Sequence, residues 1–352
     1  MKQRRLVLLV FSMMAVLFSG ILATLYIVHQ ESASNSRVVK RELESKGNEV
    51  ERDLAARLRI YEYRLRGMRG AIHMVGLADL NRTLITRYSK ARNVQQEYPG
   101  ARGFGFIRKV TQSDKDSFII NAKADGWPDF TIRQFEPHSD DLFVVQYIDP
   151  PGINHEAIGI DIASEARRKE AAISAMQSGN ATLTAPITLI NEIGEPLRSF
   201  LFLLPIYRTA ETPDTIIHRT ESVIGWSYAP LVMREVMASL NLSDRQLHLA
   251  LFDVTDHSAI QPIFESEDTH PDPEHTNTYV VEREVYGRTW RFEVSAYSSL
   301  IESLEPVKTV NILIIGILAS LMLTAMIGAF MLSRQRQHEV SAGQARLATI
   351  VE

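Results

Sequence analysis

Asp161 lies inside the apolar run Ala157 to Ile162. An ionised carboxylate in such a setting is costly unless it is hydrogen-bonded or paired. Two readings stand. It is a strand-end or capping aspartate that starts a helix near Ser164, or it is a pocket acceptor for a ligand N–H donor. Thr184 lies between Leu183 and Ala185 in another apolar stretch. Strand alternation puts Leu183 and Thr184 on opposite faces, so both meet one ligand only where the backbone edge also lines it. Thr184 is equally readable as an ordinary β-former. Tyr147, Phe202 and Phe104 either line an apolar small-molecule cavity or fill a core.

Other chemistry is thinly represented. His270 and His275 flank Asp272 and Glu274, types that bind transition metals. Their proline-rich, acidic surroundings read as an exposed loop, so no metal site is assigned. His73, His138 and His155 read as surface groups, and Arg167-Arg168-Lys169 as a solvated helix face. There is no Ser–His–Asp set, HExxH helix, glycine-rich phosphate loop or kinase signature. No catalytic residue is assigned and no cofactor is expected. The absence of cysteine removes thiol catalysis and cysteine-held metal clusters. A net charge of -4 with scattered basic residues marks no nucleic-acid face.

Two uncharged apolar runs frame these residues, Leu6 to Val28 and Val310 to Leu332, each of 23 residues. As helices both are long enough to cross a bilayer. Lys2, Arg4 and Arg5 precede the first, and Arg334 and Arg336 follow the second. Basic residues beside spans favour the cytoplasm. Both termini are therefore expected inside a bacterial inner membrane, with residues 29–309 in the periplasm or outside. The first run exceeds the apolar core of a cleaved signal peptide, about 7 to 15 residues.

Residues 29–98 read as one long helix or two end to end. Val39, Leu43, Val50, Leu54, Leu58, Tyr61, Leu65, Met68, Ile72 and Val75 recur at helical spacings. Near the membrane the stripe approaches a heptad and points to a homodimer along a stalk. Over residues 60–80 it reads equally as packing on the chain's own domain. Tyr98-Pro99-Gly100 stops the helix. Strands are expected at 103–110, 130–135, 142–148, 181–190, 198–207 and 222–228, with a helix from Ser164 to Gln177 ended by Gly179. A second unit is expected after Pro230: a helix at 231–240, strands at 247–254 and 260–264, and a hairpin turning at Tyr286-Gly287-Arg288. The order fits an α+β class with antiparallel sheets. The expected divisions are 1–5, span 6–28, stalk 29–98, distal unit 99–230, proximal unit 231–309, span 310–332 and connector 333–352. The connector looks like the start of a further domain, so the chain is expected to be a piece of a longer protein; a full-length protein with a bare tail is the alternative.

Phrases across residues 98–207 resemble the CHASE family of extracellular sensors, found in plant cytokinin receptors and bacterial transmembrane receptors. They are Tyr98-Pro99-Gly100 with Gly103-Phe104-Gly105-Phe106, then Glu156-Ala157-Ile158-Gly159-Ile160-Asp161 running into Arg167-Arg168. Ser178-Gly179-Asn180 with Leu183-Thr184-Ala185-Pro186 follows, and last Phe202-Leu203-Leu204-Pro205-Ile206-Tyr207 with Gly225-Trp226-Ser227-Tyr228. The resemblance implies a stalk helix, two PAS-like subdomains, a small-molecule ligand in the distal one, and a dimer. It also implies a cytoplasmic output: a histidine kinase of a two-component system, a diguanylate cyclase or a cyclic di-GMP phosphodiesterase. By the same resemblance Asp161 contacts the ligand and Leu183-Thr184 lines its pocket. The expected function is therefore a small-molecule sensor region signalling through the second span. The alternative is a ligand-independent adhesion or assembly module, which requires a filled distal core.

Overall fold

The computed structural model describes residues 2–91, 93–190, 196–238, 240, 242, 246–256, 262–266, 278–304 and 308–351. The chain forms two compact units, residues 1–42 with 298–352 and residues 43–297.

The first unit holds the beginning of α1 (Lys2–Val75), α8 (Ser298–Leu304) and α9 (Thr309–Val351). The early part of α1 and the stretch Thr309–Arg334 are long and apolar enough to cross a membrane, with peak mean hydropathies of 2.1 and 2.5. They run antiparallel through small residues. A Cβ on Gly20 would lie 2.4 Å from Ser320 Oγ, and one on Gly316 would lie 2.3 Å from Thr24 Cγ2. Small residues of this kind let helix backbones approach where lipid offers no hydrophobic drive.

In the second unit α1 continues to Val75 and ends on Gly76, whose φ of +81° suits a left-handed cap. Its stripe Val50, Leu54, Leu58, Tyr61, Leu65, Met68 and Ile72 is at most 1% exposed. These side chains pack within the chain's own domain. Contacts along α1 reach two sheets in turn. Glu62 Oε2 accepts from Tyr286 OH at 2.9 Å, and the Leu65 carbonyl accepts from Ser227 Oγ at 3.0 Å.

The larger sheet is antiparallel with six strands in the order β2-β1-β6-β5-β3, and β4 also pairs with β5. The strands are β1 (Phe104–Val110), β2 (Leu142–Asp149), β3 (Thr182–Leu183), β4 (Ile187–Ile190), β5 (Pro196–Tyr207) and β6 (Val223–Val232). Around them lie α2 (Arg82–Lys90), α3 (Val94–Glu97), α4 (Lys115–Ala124), α5 (Ala166–Ser178), α6 (Ile216–Ser222) and α7 (Met233–Ala238). The smaller sheet has the order β8-β7-β10-β9, from β7 (Leu247–Asp253), β8 (Phe264–Glu265), β9 (Thr278–Val285) and β10 (Arg288–Ala296). Arg288 and Asp253 form a buried bidentate pair at 2.8 and 3.0 Å in this sheet. The chain is thus α+β, a long N-terminal helix followed by two antiparallel sheets.

Several elements differ from the sequence expectation. The helical stretch 29–98 breaks after Val75 into α1, α2 and α3. Residues 130–135 form no strand. Phe130 instead packs edge-on against Phe118, with centroids 5.6 Å apart, and one bridge joins Arg133 to Ile160. The stretch 181–190 splits into β3 and β4 on either side of Pro186, which has no N–H for a ladder. The strand expected to stop at Tyr228 runs on to Val232, because β5 goes on pairing with it to Ser199. Helices α4 and α6 were not foreseen; α4 has little amphipathic contrast, with Phe118 and Ala122 its buried residues. The expected hairpin forms as a two-residue turn, with φ of 50° at Tyr286 and 81° at Gly287. The acidic loop with His270, Asp272, Glu274 and His275 lies outside the described residues.

Candidate functional site

Helix α5 organises the site. Glu165 caps it, accepting from Arg167 N and Arg168 N, and Gly179 closes it with φ of 76°. Its buried face is Arg168, Ala171, Ala172, Ala175 and Met176. That face lies on the larger sheet through polar aromatics as well as packing. Tyr207 OH donates to the Met176 carbonyl at 2.7 Å, and Trp226 Nε1 donates to the Ala172 carbonyl at 3.0 Å.

Asp161 lies one short turn ahead of this helix and has no solvent exposure. It caps the 3-10 turn Ile162–Ser164. Oδ1 accepts from Ala163 N at 3.0 Å and from Phe143 N at 2.9 Å. Oδ2 faces side chains instead, Gln134 Nε2 at 3.0 Å and His138 Nε2 at 2.7 Å. One oxygen thus fixes backbone and the other holds the segment between Phe130 and Leu142. Asp161 is thus a buried cap, but of this short turn; the helix that follows is capped by Glu165 and by neither Asp161 nor Ser164. His138 is not a surface group: its side chain is 15% exposed and its ring bonds this carboxylate.

Thr184 follows β3 and is fully buried. Its Oγ1 accepts from Leu201 N at 3.0 Å. Arg167 Nη1 donates to the Pro186 carbonyl at 2.7 Å. The turn after Thr184 therefore meets the first turn of α5, which Asp161 precedes. Leu183 N donates to the Tyr286 carbonyl at 3.0 Å, and the Phe202 ring packs edge-on to Tyr286 at 4.6 Å. Leu183 and Phe202 thereby join the larger sheet to the hairpin of the smaller one. Phe104 is elsewhere, 5.0 Å from the Tyr98 ring and 5.6 Å from the Arg64 guanidinium.

Tyr147 lines a separate small cleft with Arg82, Asp125, Trp127, Phe130 and Gln146, among others. Its cavity volume is about 30 Å³, room for one or two waters. Tyr147 OH donates to Asp125 Oδ2 at 2.6 Å, and burial followed by that carboxylate raises its pKa. Of the six sequence candidates, Asp161 precedes α5 by one short turn, and Thr184 lies two residues before Pro186, whose carbonyl Arg167 of α5 binds. Leu183 is beside Thr184, and Tyr147, Phe202 and Phe104 stand apart.

Arg168 was misread as part of a solvated face. It is 9% exposed, with its guanidinium 4.7 Å from the Phe135 ring. Burial lowers its pKa. The signal was in the sequence: Ala171, Ala172 and Ala175 follow at three, four and seven residues, placing Arg168 on the same buried stripe. Gln134 and Tyr228 were also missed as polar members of this region.

A family model described as the CHASE domain matches residues 78–264, just over half of the chain. A probable histidine kinase 4 from Oryza sativa subsp. japonica is 24% identical over 185 residues, 52% of this chain and 18% of that protein. The chain thus spans under a fifth of this relative's length. The crystal structure of the periplasmic sensory domain of the Campylobacter jejuni chemoreceptor Tlp1 aligns with a TM-score of 0.42 and 13% identity, covering 80% of this chain and 99% of that one.

Proposed function

The chain belongs to the CHASE domain family, and from that premise we propose that residues 29–309 are the extracytoplasmic small-molecule sensor of a two-span receptor. Both termini face the cytoplasm of a bacterial inner membrane. The output domain would follow the second span, as a histidine kinase or a cyclic di-GMP cyclase or phosphodiesterase.

One observation carries the ligand reading, the buried Asp161 carboxylate at the entrance of α5. Its two oxygens are used differently. A ligand N–H donor replaces His138 and Gln134 at Oδ2, while Oδ1 keeps its backbone bonds. The segment 130–141 is then released, and Leu183-Thr184 forms the opposite wall. Leu183 and Phe202 touch Tyr286, so displacement reaches the smaller sheet and then the second span. Tyr147, Phe202 and Phe104 lie farther off and line whatever space opens. Ligand must favour one helix arrangement over another, since equal binding to both transmits nothing.

A homodimer lets that displacement act between two second spans. The stripe expected to pair is buried in the protomer, so the pairing face is the opposite side of α1. There Ile60, Tyr63 and Met74 are 42%, 62% and 84% exposed, in line with Gly70, where a Cβ would meet nothing within 4 Å. Two copies anchored in one membrane present this face in parallel and in register.

A ligand-independent assembly module is the second reading. It is favoured by the four filled bonds of Asp161. Mass spectrometry of small molecules retained by the full chain separates the two. A molecule held by wild type and lost from Asp161→Asn supports the sensor. Identical retained sets in both proteins support the module.

A further inference from the structure

Three polar aromatics face α5 from the larger sheet, and they are not treated alike. Tyr207 and Trp226 each donate to a helix carbonyl, at Met176 and Ala172. These carbonyls are four residues apart, one helical turn. Tyr228 follows Trp226 by two on the same strand face, and one turn further along α5 stands Arg168. Tyr228 is 1% exposed, yet its hydroxyl has no hydrogen-bond partner among the described residues. Arg168 Nε is likewise buried and without one. The Glu165 carboxylate stands 3.6 Å from this nitrogen, within ion-pair reach but beyond a hydrogen bond. It is already occupied by the first N–H groups of the helix. Unmade bonds on buried donors are expensive and uncommon in folded proteins. Two of them at one helix end, with Leu203 opposite Tyr228 on the neighbouring strand, leave a place short of acceptors.

We propose that the Arg168 guanidinium and the Tyr228 hydroxyl form a subsite for the carboxylate of an organic acid whose body is apolar. This rests on the sensor reading above and names the class of ligand. The carboxylate accepts from Arg168 and from Tyr228 OH, while the apolar body lies along the Leu203 side of the core. A neutral amide of the same shape lacks the charge that a buried guanidinium selects.

The test uses the full chain in detergent, with benzoate, formate and benzamide as probes and thermal unfolding as the readout. Benzoate is expected to raise the midpoint and formate to do so weakly, with benzamide inert. Tyr228→Phe should weaken benzoate about tenfold, the scale of one hydrogen bond to a charged group. Arg168→Gln should abolish the effect. Because Arg168→Gln also removes a buried side chain on which folding draws, Tyr228→Phe carries a ligand-free control. Removing an unpartnered hydroxyl should leave the midpoint unchanged or raised, whereas Tyr207→Phe should lower it. A Tyr228→Phe midpoint that falls like that of Tyr207→Phe overturns the proposal. So does benzamide matching benzoate, or no response to either carboxylate. If benzoate fails while Asp161→Asn still loses a retained molecule, the sensor reading stands and only the carboxylate subsite falls. If benzoate binds through Arg168 while Asp161→Asn retains the same molecules as wild type, the subsite stands and the role given to Asp161 falls.

Discussion

His138 Nε2 lies 2.7 Å from Asp161 Oδ2, and this contact joins an otherwise irregular segment to the entrance of α5. The same carboxylate holds two backbone N–H groups through Oδ1. Removing it strands four donors at once. Asp161→Ala should therefore destabilise the domain by about 3–5 kcal/mol, the range for breaking a buried charged network. Asp161→Asn retains an acceptor and should cost less, roughly 1–3 kcal/mol. Chemical denaturation of the full chain checks both, and equal stability of Asp161→Ala and wild type would contradict the burial argued here.

Gly105 shows how closely β1 and its neighbours approach. A Cβ there would lie 2.2 Å from the Tyr147 carbonyl oxygen and 2.5 Å from Tyr228 Cε1. Gly105→Ala is expected to cost about 1–3 kcal/mol through overpacking, read as a lower midpoint in a thermal melt. A neutral result would mean that β1 and β6 can separate freely.

How much of this was legible in the residues depended on the kind of signal. The two long apolar helices, the α1 stripe and the Tyr286-Gly287 turn follow from periodicity and backbone chemistry, which are local. Asp161 was legible as a capping type, but the turn it caps was not separated from α5, whose own cap is Glu165. His138 and Gln134 were not, because they reach the carboxylate from 23 and 27 residues away across an irregular segment. Tyr228 was quoted only as part of a phrase, since its missing partner is a property of packing. Arg168 is the instructive miss: a run of three basic residues hid one that shares the alanine face.

The exposed side of α1 makes a prediction about assembly. Tyr63→Glu with Met74→Glu puts charge on the proposed pairing face without touching the buried stripe. Dimer affinity should fall roughly tenfold or more, as charges enter an apolar contact, with the unfolding midpoint of the monomer unchanged. Sedimentation in detergent reads the former. Unaltered dimerisation would move the interface elsewhere.

The apolar helices should touch where their small residues meet. The chain has no cysteine, so Gly20→Cys with Ser320→Cys introduces a unique pair. Oxidation in membranes should form an intramolecular disulfide, seen as faster migration on a non-reducing gel. Separate or intermolecular products would contradict the antiparallel packing of these helices.

His73 gives a pH dependence. Burial, and after it the charge of Arg69, lowers its pKa from 6.5. The unfolded chain then binds this proton more readily than the folded one. The stability due to this group is complete above pH 6.5 and is lost as the pH falls towards the folded-state value. His73→Gln should flatten that part of the stability profile. An unchanged slope below pH 6.5 would assign the effect to other groups.

The most direct test places a spin label at Lys308→Cys, just outside the second span, in full-length protein in nanodiscs. Inter-protomer distances are recorded with and without a low-molecular-mass metabolite fraction that raises the unfolding midpoint. The distance distribution should shift in wild type and stay fixed in Asp161→Asn. A wild-type distribution that stays the same while the midpoint rises would show binding without transmission, contrary to a sensor that signals through its second span.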